Sequence, residues 1–166
     1  RLADYFTVFT LDLRNHGRSP HSDDFSYELM AEDIHEFMQQ NWIFEAHIVG
    51  HSMGGKLAMF FALQFPEFVR KLAVIDIAPK GYPRGHDEIF AAIKNLPLQS
   101  IESRVQADEF LSTHIPDFST RQFILKNLTS TKDGEYHWKM NLESLYKNYN
   151  IIRSFPDIDH DFSGEV

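Results

Sequence analysis

With 166 residues and 43% hydrophobic side chains, the chain can bury one core, and no shift in composition marks two independent domains. Sixteen Lys and Arg against 24 Asp and Glu leave a formal charge of −8, so the electrostatic footprint of a nucleic-acid binder is missing. The absence of cysteine excludes disulfides, thiolate metal sites and a cysteine nucleophile; no apolar run reaches membrane-spanning length.

Phe6, Val8 and Phe9 lead into Leu11, Asp12 and Leu13, the pattern of a buried strand. Arg14 to Pro20 follows as a loop punctuated by Gly17 and Pro20, with Asp12 and His16 expected to brace it through local hydrogen bonds. From Ser26 to Gln40, Tyr27, Met30, Ile34, Phe37 and Met38 recur at helical spacing, with Ser26 as N-cap and His35 solvated among acidic residues. A short strand over His47, Ile48 and Val49 runs through a glycine-flanked turn into an apolar helix that Pro66 ends. Leu72 to Ile77 forms another continuous apolar run, expected to be a strand buried on both faces. Strand, helix, strand, helix, strand in this order predicts a parallel α/β sheet.

After Pro79 the pattern becomes helical. Helices are expected over His86 to Lys94, Ser103 to His114, Thr120 to Leu128 and Asn141 to Tyr149, with a hairpin turn at Asp133-Gly134. The chain thus divides into an α/β part over 1–79, a helical lid over 80–155, and the start of a return to the core over 156–166. The aromatic residues of the lid suit the wall of an apolar pocket.

The chemistry concentrates in Gly50-His51-Ser52-Met53-Gly54. A serine on a sharp strand-to-helix turn has a strained backbone, and Gly50 and Gly54 are expected to be small so that the chain can close around it. The Met53 N–H, at the helix N-terminus, is aimed at the place where an oxyanion on an attacked carbonyl forms. Asp76 interrupts an apolar strand at the same sheet edge. There it is suited either to orient a histidine that takes the serine proton or to cap the turn at Ala78-Pro79. No cluster has metal-ligand spacing, and no metal or organic cofactor is expected.

Leu11-Asp12-Leu13-Arg14-Asn15-His16-Gly17-Arg18-Ser19, Val49-Gly50-His51-Ser52-Met53-Gly54-Gly55-Lys56, Phe65-Pro66-Glu67, Ile75-Asp76-Ile77-Ala78-Pro79 and His86-Asp87-Glu88-Ile89-Phe90 together carry a resemblance. The chain resembles the capped serine esterases of the α/β-hydrolase fold, the group that includes the bacterial esterase YbfF and its mitochondrial relatives. The resemblance covers nearly the whole chain. It implies Ser52 as nucleophile, Met53 as one oxyanion-hole amide, Asp76 as triad acid and a cap after Pro79. The implied substrate is a small ester or acyl compound, and the implied setting is bacterial cytoplasm or mitochondrial matrix. In that group the second oxyanion donor lies in a loop ahead of Phe6 and the triad histidine beyond the cap. None of the nine histidines occupies that place. Residues 1–166 are therefore expected to be an internal piece of a longer enzyme and to turn over little substrate alone. A thioesterase, a carbon–carbon bond hydrolase and a non-catalytic ligand-binding protein on the same fold remain alternatives.

Overall fold

Two short apolar runs, each bounded by a turn, pair as parallel strands and position everything else. The structure, a computed structural model, describes residues 1–166. Strand β1 (Ala46–His51) lies beside β2 (Val69–Ile75), with His47 opposite Lys71 and His51 opposite Ile75. Helix α2 (Met53–Gln64) connects them, followed by a 3-10 turn at Pro66–Phe68, where proline stops the α-helix. Helix α1 (Tyr27–Gln40) precedes β1 and packs against α2. The Ser26 hydroxyl accepts a hydrogen bond from the Leu29 N–H at 3.2 Å and caps α1. Met30, Ala31 and Met38 of α1 join Leu57, Phe60 and Phe61 of α2 and Leu72 of β2 in one core. Burying each of the larger side chains contributes about 1.5–3 kcal/mol.

Two expectations fail here, for related reasons. The run through Leu72 to Ile77 is a strand, but it starts at Val69, stops at Ile75 and is covered on one face only. Val49 is 62% and Ile75 50% exposed. Apolar composition permits burial, but burial needs a layer on each side, and α2 supplies just one. Phe6 to Leu13 is no strand: residues 7 to 12 make no backbone–backbone hydrogen bond, because no ladder neighbour lies beside them. Phe9 instead rests edge-on against Phe37, with ring centroids 5.5 Å apart. His35 is half-exposed: one side of its ring stacks on Phe65 at 4.4 Å and meets the edge of Phe68 at 4.8 Å, while its Nε2 lies 3.2 Å from Gln39 Nε2 at the surface.

After β2 the chain builds a second cluster. It comprises α3 (Asp87–Lys94), α4 (Arg104–Ser112), α5 (Phe118–Leu125) and the antiparallel pair β3 (Leu128–Ser130) and β4 (Tyr136–Trp138), which turns through Gly134 at φ 88°. Ala107, Leu111, Leu125 and Leu128 are its buried centre. Helix α5 begins two residues before the expected Thr120, since the Asp117 carboxylate caps it by accepting from the Thr120 N–H at 2.6 Å. It stops at Leu125, because Leu128 enters β3. The expected helix over Asn141 to Tyr149 is two: α6 (Leu142–Lys147) and α7 (Tyr149–Arg153), broken at Asn148, which ends one and starts the other. Near the end of the chain Glu165 forms a parallel bridge with Lys71, and its carbonyl accepts from the Leu72 N–H at 2.9 Å. No helix is long and apolar enough to cross a membrane.

The loop after Leu13 is a polar hub. Asn15 is fully buried with φ 66°. Its side-chain oxygen accepts from the Ser22 N–H at 2.9 Å and Asn141 Nδ2 at 3.2 Å, and its Nδ2 donates to Ser144 Oγ at 3.2 Å. Its backbone carbonyl accepts from the Asn141 N–H at 2.9 Å. The start of the chain is thereby tied to α6 across about 125 residues of sequence. Arg14 grips Asp33 of α1 through two 2.7 Å bonds. Asp12 accepts from the Arg18 N–H at 3.0 Å, as the bracing role requires, and a Cβ at Gly17 would collide with its carboxylate at 2.1 Å.

Replacing Asn15 by alanine leaves several buried partners unpaired and forces alanine to a positive φ; urea unfolding is expected to lose about 2–4 kcal/mol. His16 is kept below its ordinary pKa of 6.5, chiefly by desolvation, against the pull of its hydrogen bond to the Arg14 carbonyl. Below pH 6.5 the unfolded chain takes up this proton more readily than the folded one, so stability falls on acidification. A His16→Gln variant should show a shallower loss of melting temperature between pH 7 and 5 than the wild type (window set by the pKa of 6.5).

Candidate active site

Ser52 sits between the last residue of β1 and the first of α2 with φ 53° and ψ −122°, a backbone conformation that costs a non-glycine residue about 1–3 kcal/mol. What enforces it is the ladder on one side and the helix on the other. The Ser52 N–H donates to the Ile75 carbonyl at 3.2 Å, and the Ser52 carbonyl accepts from the Gly55 and Lys56 N–H groups at 2.9 and 3.1 Å. The side chain is exposed, makes no capping bond and engages no other group, so its hydroxyl is open to a ligand. Met53 is the first residue of α2, and its N–H is among the helix-terminal donors that the helix cannot pair internally.

The steric reason for small residues holds at Gly50 and not at Gly54. A Cβ on Gly50 would lie 2.2 Å from the Gly54 carbonyl oxygen, whereas one on Gly54 meets nothing within 4 Å. The second crowded position is Gly55, where a Cβ would come within 2.6 Å of the Ile77 side chain. The turn therefore closes on Gly50 against the Gly54 backbone and packs on β2 through Gly55.

Asp76 is the residue after β2, exposed, with φ 55°. The parallel register pairs His51 with Ile75, so Ser52 and Asp76 leave neighbouring strands at the same edge, about 5 Å apart in backbone spacing. Both are held at positive φ. No hydrogen bond satisfies the Asp76 carboxylate within residues 1–166, which speaks against the turn-capping alternative. His51 is exposed and bonds to neither residue. His86 is engaged elsewhere, with its Nδ1 2.6 Å from the Tyr149 hydroxyl. No group of three or more His, Asp or Glu side chains converges as a metal site needs.

Sequence reasoning passed over Lys56. It is 2% exposed, and its Nζ donates to the carbonyls of Arg153 and Ser154 at 2.7 Å each. Desolvation, and then the neighbouring Arg153, pull its pKa down. The signal in the sequence was a lysine in the first turn of an otherwise apolar helix, where the helix dipole disfavours a cation.

A parallel β-α-β unit that presents a strained, open serine at the carboxyl edge of its strands defines a class: α/β proteins with a sharp strand-to-helix elbow at the sheet edge. The α/β hydrolase fold family matches residues 1–128, and the chain belongs to that family. It is 40% identical over 163 residues to the sn-1-specific diacylglycerol lipase ABHD11 of Mus musculus, covering 95% of this chain and 53% of that protein. It is 36% identical over 163 residues to esterase YbfF of Escherichia coli, covering 96% and 62%. Among solved structures, a marine microorganism esterase superposes with a TM-score of 0.92 at 44% identity, over 98% of this chain and 65% of the other. The chain thus spans between half and two thirds of the length of these relatives.

Gly50→Ala is expected to lower stability by more than about 2 kcal/mol, since the clash is with backbone. Gly54→Ala should leave the melting temperature unchanged or raise it, because alanine is worth up to about 1 kcal/mol over glycine in a helix. Equal losses in the two variants would show that the turn closes differently.

Proposed function

We propose that the complete protein is a serine hydrolase of carboxylic esters. The observation that carries this reading is the open Ser52 hydroxyl on a strained turn, one strand away from the unpaired carboxylate of Asp76. Esterase and lipase relatives at 36–40% identity over nearly the whole chain support it.

In this mechanism Ser52 Oγ attacks the ester carbonyl carbon while a histidine takes its proton. The carbonyl oxygen becomes an oxyanion, which the Met53 N–H stabilises from the helix N-terminus. Collapse of the tetrahedral species expels the alkoxide, which takes the proton from the imidazolium. Water then attacks the acyl-enzyme with the same histidine as base, releasing the acid and restoring Ser52. Asp76 orients that histidine and stabilises its charged form. None of the nine histidines bonds to Ser52 or Asp76, so none of them is assigned as the base.

The helical segment over 80–155 acts as the cap. Within it Phe90 packs ring against ring with Tyr146 and Tyr149, with centroids 5.2 and 5.3 Å apart. The formal charge of −8 disfavours anionic substrates. The chemistry needs no metal or organic cofactor.

The test is hydrolysis of short- and long-chain p-nitrophenyl esters by the complete protein. Ser52→Ala should lower kcat by about 10⁴-fold or more and Asp76→Asn by about 10³–10⁴-fold. Full activity in Asp76→Asn would move the acid to another strand; full activity in Ser52→Ala would end the proposal. Residues 1–166 alone should show little turnover, and Ser52-dependent hydrolysis at a rate near that of the complete protein would make one of their own histidines the base.

A further inference from the structure

Lys56 stands four residues after Ser52 on α2, buried, with no carboxylate partner. Local rules oppose it twice: the first turn of a helix disfavours a cation, and burial disfavours any unpaired charge. Its compensation comes from far along the chain. The ammonium lies 2.7 Å from the Arg153 carbonyl oxygen, 2.7 Å from that of Ser154 and 3.5 Å from that of Ile152. These are the last two carbonyls of α7 and that of Ser154 just after it, none paired within the helix, and they match the three donors of an ammonium.

The same carbonyls belong to the place where the helical segment meets the sheet. The Tyr82 N–H donates to the Arg153 carbonyl at 2.9 Å, and Arg153 Nη1 donates to the Tyr82 carbonyl at 2.9 Å. The segment that leaves β2 after Asp76 and the segment that returns after α7 are thereby joined. The Tyr82 hydroxyl accepts from the Ala78 N–H at 3.0 Å, and Lys56 Nζ lies 4.9 Å from the Tyr82 ring centroid, within cation–π range. From the sheet side, the Tyr27 hydroxyl donates to the Ile152 carbonyl at 2.9 Å. Lys56 therefore touches both segments of the neck from the helix that directly follows the serine.

We propose that Lys56 is a positioning residue: it fastens both connections of the cap to the elbow helix, so that the seat of the cap over Ser52 is set by α2 itself. A methionine of similar length has no donors: the Arg153 carbonyl keeps the Tyr82 N–H and the Ile152 carbonyl the Tyr27 hydroxyl, while the Ser154 carbonyl loses its donor. An arginine presents a planar fork where three donors must converge. The kinetic part of this proposal rests on the esterase reading above; the structural part does not.

Amide hydrogen exchange on the complete protein tests it, in the wild type, Lys56→Met and Arg153→Gln. In Lys56→Met the Tyr82 amide and those of residues 152–154 should exchange at least about tenfold faster, while β1 and α1 amides change less than about twofold. In Arg153→Gln the Tyr82 amide should stay protected, because Lys56 still holds the Arg153 carbonyl that accepts from it; this variant decides the matter should Lys56→Met fail to fold. Loss of protection in Arg153→Gln equal to that expected of Lys56→Met would assign the neck to the arginine and overturn the proposal. Unchanged Tyr82 exchange in Lys56→Met, or equal acceleration of Tyr82 and β1, would overturn it as well, the second by reducing Lys56 to general stabilisation. In the esterase assay, Lys56→Met should raise KM for a long-chain ester about tenfold with kcat within about twofold. Absence of all hydrolysis by the wild type counts against the esterase reading and leaves the exchange result to decide the clamp.

Discussion

The hydrogen bond from the Ser52 N–H to the Ile75 carbonyl joins a strained turn to the end of a parallel ladder, and the rest of the site depends on it. A serine at φ 53° and ψ −122° persists only where its surroundings over-determine its backbone. Here the ladder of β1 and β2 fixes the residues before it, and the first turn of α2 fixes those after it. Gly50 lets the two approach, since the Gly54 carbonyl occupies the space a side chain would need. The same register brings Asp76 alongside, so one backbone bond sets the geometry of both candidate catalytic side chains.

The two apolar clusters do not by themselves fix how the helical segment sits on the sheet. Hydrophobic burial is non-directional, and Met140 packs against both clusters without choosing an orientation. Directional bonds do that work at two places. Asn15 binds the loop after Leu13 to Asn141 and Ser144, and Lys56 binds α2 to the end of α7. Both are buried polar side chains whose partners lie roughly a hundred residues away, and in both the partners are fully engaged. A satisfied buried polar group specifies one arrangement, because each alternative leaves it unpaired.

Much of this was open to reading along the chain. The 3.6-residue spacing of Tyr27, Met30, Ile34 and Met38, with Ser26 ahead of it, marks α1, and Ser103 does the same for α4. The Gly50 to Gly54 pentapeptide between an apolar strand and an apolar helix marks the elbow. In each case the deciding contacts lie within a few residues. The break at Asn148 was hidden because residues on either side keep a helical pattern. The burial of Asn15 and Lys56 was hidden because a polar side chain announces nothing about distant partners.

Periodicity, caps and turn chemistry are properties of neighbouring residues, so α1, α4, the parallel α/β class and a serine at the tip of a sharp turn are legible in the chain alone. Whether Phe6 to Leu13 finds a ladder, which face of β2 is covered, that Gly55 and not Gly54 is the crowded glycine, and where Lys56 sends its proton donors were decided only by the tertiary structure. Each of those depends on atoms brought together from separate parts of the chain, and no local pattern encodes the distance between them.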